Sequence, residues 1–184
     1  MGNPYEKFPH IVLDGVVLRK IEEPDLDGLF EIYNNENVFT YIPGDVKKNK
    51  ATVLNMIGHF QRDFGKKKVI FLGICLREAP ERIVGVAEMF DYDEKVNMIT
   101  VGYRLNEAYW GKGIATQAVN AMADYLFHTI GINRIQAFVM PANEKSKRVL
   151  LKSQFRKEGV LRQAQYWKGL GIVDLEVYSR LSTD

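Results

Sequence analysis

Tyr109-Trp110-Gly111-Lys112-Gly113-Ile114-Ala115-Thr116 lies where a strand pattern gives way to a helix pattern, and its reading decides the fold. Gly111 and Gly113 carry no Cβ, so the turn can take left-handed backbone angles and a ligand can come close to the main chain. Successive N–H groups then point into one concavity, and the following helix adds the positive end of its dipole. Such a join suits a diphosphate. Downstream, apolar residues recur at Ile114, Ala118, Met122 and Leu126, with Ala115 and Val119 beside them, which is helical spacing with one buried face. Gly131 is the expected C-cap of that helix. Upstream, residues 99–105 alternate β-branched or aromatic residues with others and read as a strand.

A glycine turn of this kind also serves as a plain connection between strand and helix. No Gly-Lys-Ser/Thr closes it, so it is not a Walker loop, and no third glycine completes the dinucleotide fingerprint. Residues 134–139 read as the next strand. A crossover of this length implies that the two strands are parallel, with a ligand placed outside their carboxyl ends.

The 184 residues are 46% hydrophobic and 26% charged, which suits a single globular domain over residues 1–184 with a full-sized core. A net charge of +2 gives no support for a nucleic-acid partner held by bulk electrostatics. The single cysteine, Cys75, lies in an apolar run and reads as a buried strand residue with no disulfide partner. The start Met-Gly-Asn-Pro-Tyr-Glu has no cationic-then-apolar signal region, and no apolar run approaches membrane-spanning length. A cytoplasmic, reduced location without a membrane partner is expected.

Residues 16–20 read as a first strand, and residues 22–27 supply helix-start signals ahead of Leu26, Leu29, Phe30, Ile32 and Tyr33. Pro43-Gly44-Asp45 breaks the chain before a second helix marked by Val53, Met56, Ile57, Phe60 and Phe64. The lysines at 47, 48, 50 and 66–68 read as solvated surface. Two strands, near 69–77 and 83–92, are joined by a hairpin-like connection at 78–81, and a final strand pair falls near 158–167 and 173–178. The stretch Pro141-Ala-Asn143-Glu-Lys-Ser146 precedes a short helix; Asn143 suits its N-cap, which is the bland reading of that residue.

The glycine turn resembles the acyl-CoA pyrophosphate loop of the GNAT superfamily of N-acetyltransferases. Its form Trp110-Gly-Lys-Gly113-Ile-Ala115-Thr116 is similar to the RimJ/RimL-like branch, which acetylates ribosomal-protein N-termini; Trp110 stands where Gln or Arg is common elsewhere. Asn143-x-x-Ser146, Lys152 and Phe155 also resemble that branch, as do Leu18-Arg19 with Asp25-Leu26, and Ile83-Val-Gly85. Leu151 and Gln154 depart from it, and the missing glycine at 154 puts the helix end in doubt. The resemblance is weakest over residues 40–68, where the family borders its acceptor-amine site.

The resemblance implies an α/β fold: a central twisted mixed sheet of about seven strands with a splayed parallel pair, flanked by about four helices. It implies acetyl-CoA as cosubstrate and no metal. Trp110, Gly111, Lys112, Gly113, Ile114, Ala115 and Thr116 would hold the diphosphate, with Lys147 and Arg148 as further phosphate neighbours. Backbone N–H groups of Tyr103, Arg104 and Leu105 would polarise the thioester carbonyl. Asn143 would bind pantetheine, and Ser146 would protonate the departing thiolate. The general base is not fixed. Relatives often carry Glu where this chain has Thr100; Glu88 on the adjacent strand could act through water, or stand as an exposed carboxylate without a role. Of His10, His59 and His128, only His59 falls on the acceptor-side helix. A protein N-terminus is the first acceptor the resemblance implies, with a small amine (polyamine, amino acid or antibiotic) as the alternative. A non-catalytic acyl-CoA-binding module is a third reading, and a homo-oligomer stays open.

Overall fold

The structure, a computed structural model, describes residues 2–184. Among them, β1 (Ile11–Leu13), β2 (Val16–Lys20), β3 (Val69–Leu76), β4 (Ala79–Asp93), β5 (Met98–Leu105), β6 (Arg134–Val139), β7 (Arg156–Trp167) and β8 (Gly171–Leu181) join one sheet, in the order β1-β2-β3-β4-β5-β6-β8-β7. Eight strands stand where about seven were expected. The added one, β1, is three residues long and too short for alternation to show. Its hairpin turn, Asp14-Gly15, is a recognisable strand-pairing signal.

All neighbouring strands run antiparallel except β5 and β6. That parallel pair holds register only at Met98↔Arg134, Ile99↔Ile135 and Thr100↔Gln136; beyond these, β5 continues to Leu105 and β6 to Val139 without pairing. The sheet therefore forks at Thr100. The Gln136 side-chain amide donates to the Thr100 hydroxyl at 3.1 Å and closes the base of the fork.

The helices α1 (Leu26–Tyr33), α2 (Lys50–Gly65), α3 (Ile114–Asp124) and α4 (Glu144–Lys152) cover the sheet's two faces. One core unites Ile70, Leu72, Ile74, Ile99 and Val101 with Ile114, Ala118, Met122 and Leu126, the stripe predicted for the α3 helix. The other unites Val17, Ile83 and Val86 with Leu29, Ile32, Val53 and Ile57 of α1 and α2. Fully buried Ile or Leu side chains of this kind each contribute about 1.5–3 kcal/mol, so the two layers are fixed by alternation along the central strands. Cys75 is fully buried in the second core, and burial pushes its thiol up to about 11, which suits an inert strand residue. Beyond α3 the chain continues as a π-helical turn, Tyr125–Ile130, and ends at Gly131 with φ +81°, the left-handed cap expected there.

At the amino end, Arg19 grips Asp25 through two hydrogen bonds of 2.7 and 2.9 Å, and Asp25 accepts the Glu22 N–H at 2.8 Å. The Leu-Arg and Asp-Leu elements are thus two halves of one clamp joining β2 to the start of α1. Among the described residues, no helix is long and apolar enough to cross a membrane.

Candidate active site

The fork has one helix start on each side of its mouth, and the two differ. Asn143 caps α4, its carboxamide oxygen accepting the Ser146 N–H at 3.1 Å. The bland reading of Asn143 therefore holds for its oxygen. α3 instead begins at Gly113, φ +78°, which has no side chain to offer its first N–H groups. Those orphan donors and the helix dipole point outward beside the exposed residues 111–113. Gly111 also has positive φ, +75°, and a Cβ at either glycine would meet nothing within 4 Å. Backbone conformation, and room for a ligand, account for both glycines.

Trp110 sits at the elbow of this loop. Its indole N–H donates to the Leu105 carbonyl at 3.0 Å, and its ring packs against both cores. The ring that replaces a polar residue therefore ties the loop to the end of β5. Glu107, one turn earlier, accepts from Asn35 at 2.8 Å and from Asn37 at 3.0 Å, bonds that hold its carboxyl below the usual range and moor the segment after α1 beside the fork.

Of the basic residues expected near phosphate, Lys112 is exposed over the Tyr109 ring, 5.2 Å from its centroid. Lys147 is committed elsewhere, donating to the Pro141 carbonyl at 2.8 Å and pairing with Glu144 at 2.5 Å. Arg148 is exposed and donates to the Glu144 carbonyl.

The Asn106 N–H bonds to the Val84 carbonyl on β4. Alternation along β5 then turns the main-chain groups of Arg104 toward β4 as well, and those of Tyr103 and Leu105 toward the gap. This corrects the expectation that Arg104 faces cofactor with its backbone. The Tyr103 side chain lies on the α3 face, where its hydroxyl donates to Ser146 Oγ at 3.2 Å. Burial pushes the Tyr103 phenol up to about 12, with the Ser146 bond working the other way. Sequence reading assigned Tyr103 only a main-chain role; its alternation with Val101 and Leu105 was the available signal that the ring points at α4.

The Arg104 side chain lies on the opposite face, paired with Glu88, and its guanidinium carbon sits 5.1 Å from the Tyr33 ring and 5.7 Å from the Phe39 ring. Burial disfavours its charge, and the adjacent Glu88 more than reverses that. Glu88 is consequently not an exposed, idle carboxylate: only 16% of its side chain is accessible. Its second oxygen lies over Gly102, 3.8 Å from where a Cβ would be. Thr100 is fully buried. His59 is exposed on α2, among Asn55, Gly58 and Arg62 and away from the fork, so the helix carries it on its outer side. Among the described residues, no cluster of three His, Cys, Asp or Glu side chains is placed to hold a metal.

The structure thus has an uncapped, glycine-opened helix start and a half-buried hydroxyl pair on one face of a strand fork, and an ion pair boxed by aromatic rings on the other. Known proteins share this frame. Residues 16–156 match the model of the acetyltransferase (GNAT) domain. The uncharacterized N-acetyltransferase YoaA of Bacillus subtilis is 32% identical over 172 residues, 94% of this chain and 96% of its own length. The ribosomal-protein-serine acetyltransferase of Escherichia coli is 26% identical over 142 residues, 77% of this chain and 74% of its own. In fold, the GNAT-family acetyltransferase from Bacillus anthracis superposes with a TM-score of 0.82 at 25% identity, covering 96% of this chain and 100% of that one. Mycobacterium smegmatis RimJ, solved with CoA-disulfide, superposes at 0.83 with 22% identity, covering 95% and 86%. With the family's domain matched across the fork, the loop and α4, and a relative of this identity over nearly its whole length, the chain belongs to the GNAT acetyltransferase family.

Proposed function

We propose that this acetyl-CoA-dependent N-acetyltransferase acts, within one domain spanning residues 1–184, on the N-terminal α-amino group of a protein or peptide. The observation that carries the reading is the state of the fork's base: Thr100 is fully buried and hydrogen-bonded to Gln136, and the adjacent Glu88 is paired with Arg104. No unpaired carboxylate is positioned on β5 to strip an ammonium of its proton. At pH 7 an α-amino group, with a pKa near 7.7–8.0, is roughly a tenth neutral, whereas a lysine-like amine near 10.4 needs about 4.6 kcal/mol to reach its neutral form, from about 3.4 units. A site without a strong, free base is matched to the easier amine. The resemblance to the RimJ/RimL-like branch supports the same acceptor.

The chemistry then follows from position. Acetyl-CoA supplies an activated thioester. The free N–H groups of residues 113–116 suit its diphosphate, and the carboxamide nitrogen of Asn143 is left to meet its pantetheine arm. The N–H groups of Tyr103 and Leu105, turned into the gap, receive the negative charge that develops on the carbonyl oxygen as the amine attacks. Holding both reactants in one groove supplies roughly 7–11 kcal/mol of the barrier, so no acyl-enzyme nucleophile is required. Ser146 gives its proton to the departing thiolate, the Tyr103 hydroxyl, already donating to Ser146 Oγ, replaces it, and solvent water returns the proton to Tyr103. The amine binds already neutral, and Glu88, held by Arg104 and reaching the amine only through a bridging water from the oxygen over Gly102, takes up only the proton that attack makes acidic.

Kinetics with saturating acetyl-CoA test the acceptor. Ala- and Ser-starting peptides should outperform spermidine and free lysine at pH 7, with kcat/KM rising to a plateau near the peptide's own amine pKa. Preference for spermidine would refute the reading.

A further inference from the structure

We propose that the acceptor groove selects an amine carrying a hydrogen-bond-accepting oxygen nearby, a peptide carbonyl or a carboxylate, and that Arg104 is the residue that reads it. The proposal rests on the reading that transfer takes place at the fork. Arg104 is the penultimate residue of β5 and projects from the α1 and α2 face of the strand whose edge faces the gap. An amine entering from that face passes this side chain.

The guanidinium is only partly used. Its Nη2 bonds to Glu88, while its Nε is buried and has no partner. Arginine has five N–H donors in a rigid planar fork and no acceptor, and a buried donor left unpaired is costly. Tyr33 and Phe39 at 5.1 and 5.7 Å hold the plane in place from the protein side, so the guanidinium is oriented without being saturated. The Arg104–Glu88 pair taken together carries little net charge, so the guanidinium can serve a neutral carbonyl as well as a carboxylate.

A second buried donor without a partner lies on the same face of the sheet. Trp167 pairs with Gly171, which shares its side of β8 with Val173, Leu175 and Val177, opposite Tyr178 of the α3-side core. The Trp167 indole N–H is buried and unpartnered. Its neighbour Lys168 pairs with Asp45 at 3.0 Å, an exposed contact between the tip of the β7–β8 hairpin and the segment between α1 and α2. Both spare groups donate, and neither accepts. They complement oxygen atoms, and a polyamine, made of methylenes and ammonium groups, offers none.

The test compares three acceptors with saturating acetyl-CoA, each rate expressed per neutral amine: an Ala-starting tripeptide amide, free alanine and isopropylamine. The two oxygen-bearing acceptors should exceed isopropylamine in kcat/KM by on the order of a hundredfold, since a site built to hydrogen-bond discriminates strongly against an analogue lacking the partner. Arg104→Lys keeps the charge and removes the fork; it should cut the tripeptide-to-isopropylamine ratio by about tenfold or more, through the tripeptide's KM. A melting-temperature rise with acetyl-CoA shows that the variant is folded. Trp167→Phe, which keeps an aromatic ring and removes the N–H, should lower the same ratio by about threefold, with the melting-temperature rise on acetyl-CoA again showing that the variant is folded. An unchanged ratio in both variants, equal use of isopropylamine by the native chain, or no turnover of any of the three would overturn the proposal. If alanine surpasses the tripeptide, the protein-N-terminus reading fails and the assignment of Arg104 stands.

Discussion

The Tyr103 hydroxyl donates to Ser146 Oγ at 3.2 Å, joining the diverging half of β5 to the first turn of α4 across the mouth of the fork. Each residue is set by its own element, and only the fold brings the two elements, 43 residues apart, together. Ser146 is placed by Asn143, which caps the helix, and Tyr103 by the alternation of β5. The pair ties the diverging strand to the start of the helix.

If Ser146 protonates the thiolate, Ser146→Ala should lower kcat by on the order of tenfold to a thousandfold with acetyl-CoA affinity nearly unchanged. Tyr103→Phe should cost less, about two- to tenfold, because Ser146 keeps its own proton. Burial pushes the Tyr103 phenol up to about 12, so it remains a neutral donor well past the pH at which an ordinary phenol ionises. The alkaline limb of kcat should therefore stay flat to about pH 11, read from a kcat–pH profile. A loss confined to KM in Ser146→Ala would make Ser146 a binding residue.

Just past the C-cap of the short helix α4 stands a residue that departs from the resembling branch. Gln154 stands where the resembling branch has glycine and takes φ +66°. Left-handed backbone costs an ordinary residue about 1–2 kcal/mol, and glycine gives back part of that through its freer unfolded chain. Gln154→Gly should stabilise the protein by about 0.5–1 kcal/mol in denaturant unfolding, without effect on turnover.

Glu158 gives a stability prediction with a defined sign. Arg134 first, then Ser179, hold its carboxyl down to about 2 from an ordinary value of 4.5. Between those values the unfolded chain binds the proton that the folded chain refuses, so the contribution is complete above about pH 4.5 and is lost as pH falls toward 2. The side chain is 42% exposed, so solvent screens the pair and the effect is modest. Glu158→Gln should flatten the dependence of the urea midpoint on pH across that window and leave it unchanged in shape near neutrality.

What the sequence made legible was local. The Gly111 and Gly113 turn, the α3 stripe, the Gly131 cap and the parallel strand after it are each written in contiguous residues, and the structure has them all. The pairings made by distant segments were not legible. Glu88 and Arg104 are 16 residues apart and meet only through the β4–β5 register. His59 falls on the helix that the resemblance sets beside the acceptor, yet its place on the outer side of α2 depends on how that helix rolls onto β3, which Val53, Ile57 and Phe60 decide. Trp110 stands where Gln or Arg is common elsewhere, and although Leu105 is only five residues away, the bond from its indole N–H depends on how the loop folds back on the strand end.

The central claim, that acetyl-CoA is held at the start of α3 beside the fork, is tested most directly by thermal unfolding of the native chain and Gly113→Trp with and without acetyl-CoA. Position 113 is exposed and a Cβ there meets nothing within 4 Å, so the cost that the backbone sets is its left-handed conformation, about 1–2 kcal/mol, while the indole fills the space a diphosphate needs. At about a hundred times Kd, acetyl-CoA should add roughly 2.7 kcal/mol of apparent stability to the native chain. Gly113→Trp, folded by circular dichroism, should show no gain, and a full gain in that folded variant would contradict the placement of the site.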